Sequence, residues 1–239
     1  MEILSLSEIA NAVGSTVKVD GQINEISTDT RTIPEGCLFV AIKGENFDGH
    51  DYIETAFQKG AKAVVSEKNI EGYNCIVVPN TRKALLDIAR YYRSKFNINL
   101  VAVTGSVGKT TTKEMIALVL SEKFNTLKTT GNLNNEIGLP KTLFNLDSSH
   151  ECAVIEMGMS HFGEISRLTR TALPTMAVIT NIGFSHIENL GSQQGILKAK
   201  LEILEGMDGS APIFLNADDI SLYHRMSRQT RRYGRHRSN

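Results

Sequence analysis

The chain has 239 residues, 41% of them hydrophobic, and its 26 lysines and arginines balance its 26 aspartates and glutamates. This length accommodates one or two domains with a sizeable core. The sequence contains no run of about 18 apolar residues, which argues against a membrane span, and its N-terminus lacks the basic and apolar segments of a signal peptide. Three scattered cysteines argue against a disulfide framework and indicate buried, reduced thiols in the cytoplasm.

The zero net charge hides an uneven distribution of charged residues. Six arginines and no acidic residue lie between Arg225 and Asn239, so residues 1–224 carry 20 basic and 26 acidic side chains. A basic segment of this kind is compatible with a nucleic-acid-binding arm or with a solvated terminus. Because no aromatic platform or nucleic-acid-binding motif accompanies it, we expect no nucleic-acid partner.

Residues 1–80 are predicted to form a small α/β domain. Two helices are predicted, a capped one over Ser5–Val13 and another over Tyr52–Lys59. Short apolar runs indicate strands at Leu38–Ile42, Ala63–Val65 and Cys75–Val78. The turn dipeptide Pro79-Asn80 marks the expected domain boundary.

Residues 81–239 are predicted to form a second α/β domain. It opens with an amphipathic helix over Thr81–Phe96, whose apolar face carries Leu85, Ile88, Ala89 and Tyr92. Four strands are predicted to follow: Leu100–Val103, Cys152–Glu156, Met176–Thr180 and Pro212–Leu215. Helical segments separate most of these strands, and this alternation predicts a parallel sheet covered on both faces.

The most informative segment is TGSVGKTTTK, residues 104–113. It follows a strand and precedes a helical pattern whose apolar side is predicted to hold Met115, Ile116, Val119 and Leu120. A strand, a glycine turn and a helix together present backbone N–H groups and the positive end of a helix dipole to phosphate. We expect Lys109 to contact phosphates and the Thr110 hydroxyl to reach a magnesium ion. The segment departs from GxxxxGK[ST] because Val103 occupies the place of the first glycine, so a chance glycine turn is the alternative.

Further polar residues follow other strands of the predicted sheet. Glu156 ends the second strand and His186 comes after the third. Because ligands bind beyond the carboxyl ends of parallel strands, these side chains and Thr110 are predicted to converge on magnesium and bound phosphate. Taken singly, Glu156 is also compatible with a surface acid and His186 with an exposed imidazole.

Two other features have a functional and a structural interpretation. Lys200 lies within the apolar stripe of the helical segment Ser192–Leu204, where burial lowers a lysine pKa and favours a nucleophilic amine that captures carbon dioxide as a carbamate. The alternative is that the aliphatic part of the Lys200 side chain covers apolar surface while its ammonium group reaches water. The polar segment TTGNLNNEIGLP is either a substrate-binding loop or plain turn chemistry.

The order and spacing of several motifs resemble the Mur ligase family: TGSVGKTTTKEM, GNLNNEIGLP, EMGMSHFGEI, ITNIGFSHIENLGS, KAKLEI and LNADD. The short phosphate loop is the normal form in that family. The motif EMGMS followed by GEI distinguishes the member that adds a dipeptide from the member that adds the third peptide residue. The resemblance covers nearly the whole chain and implies an α/β protein, with a small N-terminal α/β domain followed by a partial P-loop central domain with a mainly parallel sheet.

The resemblance implies an ATP-dependent, peptide-bond-forming ligase of peptidoglycan precursor synthesis, acting in cell wall biogenesis and hence in cell shape and cell division. In that family ATP phosphorylates the terminal carboxylate of the substrate, and the incoming amine attacks the acyl phosphate. For this chain the resemblance implies UDP-N-acetylmuramoyl-tripeptide as the carboxylate substrate and D-alanyl-D-alanine as the amine. The implied cofactors are ATP and two Mg²⁺ ions. We expect a cytoplasmic monomer.

Motif positions assign roles to individual residues by resemblance. The implied catalytic residues are Lys109, Glu156, His186 and Lys200. One magnesium would be held by Thr110 and Glu156, and a second by His186 and carbamylated Lys200. The implied nucleotide-binding residues are Thr104, Gly105, Ser106, Val107, Gly108, Lys109, Thr110, Thr111 and Asn216. The implied substrate-binding residues are Ser27, Asp29, Arg31 and Lys43 for the UDP-sugar, with Asn134, Asn135 and Glu136.

The sequence departs from the family pattern after LNADD. Family members are considerably longer, so we expect the central domain over 81–239 to be incomplete and the C-terminal domain that brings the amine substrate to be absent. A non-catalytic nucleotide- or UDP-sugar-binding fragment of such a ligase is therefore the alternative function. A folate-type ligase is a third hypothesis, and residues 1–80, which that enzyme lacks, count against it.

Overall fold

The computed structural model describes residues 1–223, which divide into two compact units. The first unit comprises residues 1–97 and 136–149, and the second comprises 98–135 and the described part of 150–239. The units therefore divide after Asn97 and not at the predicted turn Pro79-Asn80, because the helix Thr81–Ser94 packs against the helix Gly138–Leu143 of the first unit. The basic segment Arg225–Asn239 lies outside the described residues.

The first unit is a small α/β unit, as predicted. Its strands are β1 (Leu4–Ser5), β2 (Gln22–Ile23), β3 (Ile26–Ser27), β4 (Leu38–Val40), β5 (Ala63–Ser66) and β6 (Cys75–Val77). Its helices are α1 (Leu6–Ala12), α2 (Ile53–Gln58), α3 (Thr81–Ser94) and α5 (Gly138–Leu143), with a 3₁₀ turn at Gly49–Tyr52. Strands β3, β4, β5 and β6 form a parallel sheet in that order, and β1 pairs with β2 antiparallel.

Local sequence signals explain where the helices of the first unit begin. The Ser5 hydroxyl accepts a hydrogen bond from the Glu8 amide at 3.1 Å, and the Glu8 carboxylate accepts one from the Ser5 amide at 2.8 Å, so α1 begins with a capping box. The Asn80 side chain caps α3 by accepting from the Lys83 amide at 2.8 Å. The predicted apolar face of α3 is confirmed, because all of its members are buried: Leu85, Ile88, Ala89 and Tyr92.

The second unit is built on a five-stranded parallel sheet. Its strands are β7 (Asn99–Thr104), β8 (Thr126–Lys128), β9 (Cys152–Glu156), β10 (Met176–Ile179) and β11 (Ile213–Leu215). Its helices are α4 (Lys109–Ser121), α6 (Glu164–Ala172), α7 (Ile187–Leu190) and α8 (Gln193–Leu201), with a 3₁₀ turn at Glu202–Gly206. The strand order is β11-β10-β7-β9-β8, which confirms the predicted parallel sheet.

Strand β7 lies at the point where the connections of this sheet change direction. The chain leaves β7 toward β8 and β9 on one side, and later returns to β10 on the other side. The register sets Val103 opposite Glu156 and Thr104 opposite Ile179, so the carboxyl ends of the three central strands lie side by side. Such a switch point is where open parallel sheets bind ligands.

Helix α4 differs from the sequence-based prediction. Ile116, Leu120 and buried Ala117 pack against the sheet, whereas Met115 and Val119 are exposed by 64% and 71%. The predicted apolar side was therefore wrong at these two positions, because an uninterrupted apolar run leaves the buried face undetermined.

The predicted state of the cysteines is confirmed, since all three are free and buried. Within residues 1–223, no helix is both long enough and apolar enough to cross a membrane.

Candidate active site

The segment after β7 forms the predicted turn into a helix. Gly105 has a φ of +153° and Gly108 a φ of +79°, backbone conformations that residues with a Cβ rarely adopt. Helix α4 begins directly afterwards at Lys109. The N–H groups of its first turn have no acceptor within the helix, so they are available to an anion.

Residues that follow β10 hold this phosphate loop in place. The Ser106 amide donates to the Asn181 carbonyl and the Val107 amide donates to the Asn181 side chain, both at 3.1 Å. The Thr180 hydroxyl donates to the Val107 carbonyl at 2.7 Å. The amides of Ser106 and Val107 are thus engaged by Asn181, and the first turn of α4 and Lys109 are the donors offered to phosphate.

Glu156 and Thr110 contact each other directly. Glu156 is only 2% exposed, and its carboxylate accepts from the Thr110 hydroxyl and from the Asn134 side-chain amide, each at 2.9 Å. A carboxylate and a hydroxyl are oxygen donors of the type that Mg²⁺ prefers. Within residues 1–223 no cluster of three or more His, Cys, Asp or Glu side chains suits a metal, so an ion at Glu156 would draw other ligands from phosphate and water.

A buried lysine supports the strand end that carries Glu156. The Lys113 ammonium, 1% exposed, donates to the Thr129 carbonyl at 2.7 Å and pairs with Glu114 at 2.8 Å. The Thr129 hydroxyl in turn accepts from the Glu156 amide at 3.0 Å. These contacts connect Lys113 through Thr129 to the backbone amide of Glu156.

A cavity of about 270 Å³ is lined by seven of the predicted site residues. Its lining includes predicted residues from the phosphate loop, the asparagine segment and the two later motifs: Gly105, Ser106, Lys109, Asn134, Asn135, His186 and Lys200. It also includes residues that the sequence analysis did not single out: Gly158, Met159, Ser160 and Glu164. His186 has a φ of +64°, an uncommon conformation for a residue with a Cβ.

Lys200 lies on the buried side of α8, as its place in the apolar stripe predicted. It is 3% exposed, and burial together with the nearby charge of Lys109 lowers its pKa to about 8. Lys109 donates to the Gly105 carbonyl at 3.0 Å. Two cationic side chains at one polar cavity favour a polyanionic ligand.

The lowered pKa of Lys200 predicts a pH-dependent cost to stability. Below pH 8 both the folded and the unfolded chain carry the charge, and burial of that charge costs about 3 kcal/mol. Stability should then rise as the pH increases from 8 toward the unfolded value of 10.5, because only the unfolded chain binds the proton in that interval. We expect Lys200→Met to raise the free energy of unfolding at pH 7 in CO₂-free buffer, and this gain should shrink by pH 10. Urea denaturation at pH 7 and at pH 10 measures this gain in the free energy of unfolding. Lys198→Met, at an exposed lysine of the same helix, is the control and should show no gain.

The predicted adenine contact, Asn216, lies apart from this cavity lining. It follows β11 in a turn in which its side chain accepts from the Asp218 amide at 3.0 Å. Asp219 in the same turn accepts from the Ile182 amide at 2.6 Å. The turn is thereby tied to the segment that holds the phosphate loop.

The predicted UDP-sugar residues lie in the first unit, and two of the four line a cavity of about 490 Å³. Asp29 and Arg31 line it and form an ion pair at 2.6 Å, and the hydrogen bonds from Arg31 lower the Asp29 pKa to about 2. Ser27 is buried, and its hydroxyl donates to the Asp29 carbonyl at 3.1 Å. Lys43 is exposed and its side chain is not part of this lining, whereas Lys141 is. The remaining lining includes two exposed aromatic side chains, Phe47 and Tyr52.

Comparison with known protein families identifies both units. The Mur ligase middle domain matches residues 103–238, and a Mur ligase family catalytic domain matches residues 22–93. The chain belongs to the Mur ligase family.

Among curated relatives of this Mur ligase chain, the UDP-N-acetylmuramoyl-tripeptide–D-alanyl-D-alanine ligase of Bacillus subtilis is 44% identical over 216 residues, which is 89% of this chain and 47% of the relative. The Escherichia coli protein of the same name is 39% identical and is aligned over 90% of this chain and 48% of its own length. The chain thus spans about half the length of the curated relatives it matches.

Solved structures agree with these relatives. MurF from Acinetobacter baumannii superimposes with a TM-score of 0.91 at 33% identity, over 96% of this chain and 52% of that one. MurF from Thermotoga maritima in complex with ADP superimposes with a TM-score of 0.80 at 36% identity, over 85% of this chain and 48% of that chain. A further structure from Acinetobacter baumannii is named UDP-N-acetylmuramoylalanyl-D-glutamyl-2,6-diaminopimelate–D-alanyl-D-alanyl ligase. It superimposes with a TM-score of 0.88 at 33% identity, over 96% of this chain and 52% of that chain.

Three kinds of site residue in this Mur ligase chain were not predicted from the sequence. Thr180 and Asn181 hold the phosphate loop, Lys141 lines the first-unit cavity, and Glu164 lines the second-unit cavity. Asn181 and Glu164 lie within quoted motifs, ITNIGFSH and GEI, which were the available signals. Glu136 belongs to the first unit, whereas its neighbours Asn134 and Asn135 belong to the second.

Proposed function

We propose that this chain carries the ATP-binding and UDP-substrate-binding portions of a ligase that joins D-alanyl-D-alanine to UDP-N-acetylmuramoyl-tripeptide. The observation that carries the proposal is the direct contact of Thr110 with buried Glu156 beside Lys109, at the switch point of a parallel sheet. A phosphate-binding turn and an oxygen donor pair at one strand end suit a nucleotide bound with magnesium.

Each residue of the site has a proposed part in phosphate binding. The Lys109 ammonium exchanges its contact with the Gly105 carbonyl for the β- and γ-phosphates, while the first turn of α4 donates its N–H groups. Thr110 and Glu156 would hold one Mg²⁺, which supplies charge neutralisation and polarises the γ-phosphate. His186 would serve a second ion together with Lys200.

Lys200 is suited to this second role only after a change of charge. Its neutral amine, accessible near pH 8, adds to carbon dioxide, forming an N–C bond and releasing one proton to solvent. The resulting carbamate presents anionic oxygen where the free lysine presents a cation. An anionic group at Lys200 would also remove the repulsion between its buried ammonium group and the half-buried ammonium group of Lys109.

The proposed reaction activates a poor electrophile. A carboxylate oxygen of the tripeptide attacks the γ-phosphorus, the bond to the ADP oxygen breaks, and the acyl phosphate forms. The amine nitrogen of the dipeptide then attacks the acyl carbon, phosphate leaves, and the nitrogen loses its proton. Lys109 neutralises phosphate charge in both steps, and Asn134 holds the Glu156 carboxylate in its orientation.

The first-unit cavity is the proposed site of the UDP-sugar. Arg31 and Lys141 offer cationic groups to a pyrophosphate, and Phe47 and Tyr52 offer aromatic faces to a uracil ring. Lys43 remains a proposed contact from its place in the sequence motif. Glu136 likewise remains a proposed substrate residue.

A second candidate function is a non-catalytic fragment that binds nucleotide and UDP-sugar. The chain spans about half the length of the curated relatives it matches. An assay of phosphate release from ATP in the presence of the tripeptide substrate, with and without D-alanyl-D-alanine, separates the two. Release that requires both substrates supports the ligase, and binding without release supports the fragment.

ATP binding tests the part of the proposal that both candidates share. We expect Lys109→Ala to weaken ATP binding about 10- to 100-fold, because a charge-assisted contact to phosphate is worth about 1.5–3 kcal/mol. Calorimetric titration measures the affinity, and circular dichroism should show an unchanged fold. Lys123→Ala removes an exposed lysine outside the cavity lining and should bind ATP like the wild type. Equal affinity of the Lys109 variant would contradict the phosphate assignment.

A further inference from the structure

The GEI motif places a carboxylate in the second-unit cavity that the proposed catalytic steps do not use. Glu164 lines this cavity together with Lys109, His186 and Lys200. Among the lining residues that the structure describes, Glu164 is the one acid. A carboxylate that faces bound phosphates is repelled by them unless a cation lies next to it.

Compensation of the unpaired amides at the start of α6 does not account for the Glu164 carboxylate. Acidic residues in a first turn commonly compensate unpaired helix amides, but here another carboxylate does so. Glu202 accepts from the Gly163 amide at 2.8 and 2.9 Å and from the Ser166 amide at 3.2 Å. The amino end of α6 is therefore already neutralised without Glu164.

The direct contacts of Glu164 are one backbone amide and one imidazole ring. One oxygen accepts from the Ser160 amide at 2.7 Å, and the other lies 3.4 Å from the His161 ring, which is largely exposed. The Ser160 amide is neutral and supplies no full positive charge. The side chain is 26% exposed, so a ligand in the cavity can reach it.

We propose that Glu164 binds an ammonium group of a substrate and so acts as a specificity-determining residue. This inference rests on the proposed function, since both proposed substrates offer such a group. One source is the amine of D-alanyl-D-alanine, and the other is the side-chain ammonium of a diamino acid in the tripeptide. The shared chemistry is a charge-assisted hydrogen bond from the substrate N–H to the Glu164 carboxylate.

Titrations with matched ligands test the inference and separate the two sources. The full chain, loaded with Mg²⁺ and a nonhydrolysable ATP analogue, is titrated with D-alanyl-D-alanine and with its N-acetyl derivative. It is titrated in parallel with a diamino-acid-containing UDP-N-acetylmuramoyl-tripeptide and with its side-chain N-acetyl derivative. We expect one of the two ammonium ligands to bind about tenfold more tightly than its acetylated partner.

Glu164→Gln should reduce that preference to less than about twofold, because the amide oxygen still accepts from Ser160 but carries no charge. Glu205→Gln is the matched control, since Glu205 is hydrogen-bonded to Ser166 and Arg170 and is not part of the cavity lining. The control should keep the wild-type preference.

Several results would overturn the inference. They are an absent ammonium preference in the wild type, a preserved preference in Glu164→Gln, or no binding of either ammonium ligand to the ATP-loaded chain. A variant that loses Mg²⁺-dependent ATP affinity and keeps the preference would reassign Glu164 as a metal ligand. Failure of the wild type to bind the ATP analogue would instead refute the proposed function.

Discussion

Replacing Gly105 with alanine is expected to weaken ATP binding about a thousandfold, since backbone strain and overpacking of about 2 kcal/mol each would act on the phosphate loop. A Cβ at this position would lie 1.8 Å from the Thr180 hydroxyl, and the φ of +153° is itself costly for a residue with a side chain. The same hydroxyl donates to the Val107 carbonyl, so its displacement would release the loop. Calorimetric titration with ATP measures the loss.

A control variant at a second glycine distinguishes the general cost of backbone strain from a specific disruption of the phosphate loop. Gly72 also has a positive φ, +83°, but a Cβ there would meet open space in the first unit. Gly72→Ala should therefore lower the melting temperature slightly and leave the ATP affinity unchanged. If Gly105→Ala binds ATP as tightly as Gly72→Ala, the segment around Gly105 does not hold the phosphates.

Removal of the buried amine is expected to have the other large effect. In this chain fused to the remaining carboxyl-terminal part of the Bacillus subtilis relative, Lys200→Ala should reduce turnover by about a thousandfold, the effect of several kcal/mol of lost charge stabilisation. The reason is that alanine can form no carbamate and so leaves His186 without its proposed partner at the second ion. Phosphate release under saturating ATP and both substrates measures the rate.

Small carboxylates provide the test of mechanism. Acetate can occupy the space of the missing side chain and supply anionic oxygen, so it should partly restore turnover in Lys200→Ala. Lys198→Ala removes an exposed lysine of the same helix and should retain wild-type turnover. Robust turnover of Lys200→Ala without additives would remove the carbamate from the proposal.

The sequence allowed the centre of the site to be predicted because the relevant rules are local or topological. Glycines followed by Lys109 at a strand-to-helix turn define the phosphate loop by chain-local geometry. Glu156 and Thr110 were expected to meet because neighbouring parallel strands end at one edge of the sheet, and they lie 2.9 Å apart. Lys200 was singled out because a lysine conflicts with an apolar stripe, and of the two alternatives the structure shows the buried one.

Other parts of the site depend on information that spacing does not contain. The contacts of Thr180 and Asn181 with the phosphate loop follow from the register of β7 with β10. Lys141 reaches the first-unit cavity because a later segment returns to that unit, which no local pattern signals. The exposed side of α4 was mispredicted at Met115 for a related reason, since an unbroken apolar run has no period to select a face.

The returning segment 136–149 has a consequence for how the protein is made and dissected. The chain passes between the units three times, after Asn97, after Asn135 and after Ser149. During synthesis, residues 136–149 therefore leave the ribosome only after β7, α4 and β8. Until then the first unit lacks part of its chain and cannot complete its fold. If the gene were divided after Asn97, α5 would be expressed with the second unit although it belongs to the first. Separate production of each unit calls for grafting α5 onto the first unit and closing the gap it leaves with a short linker.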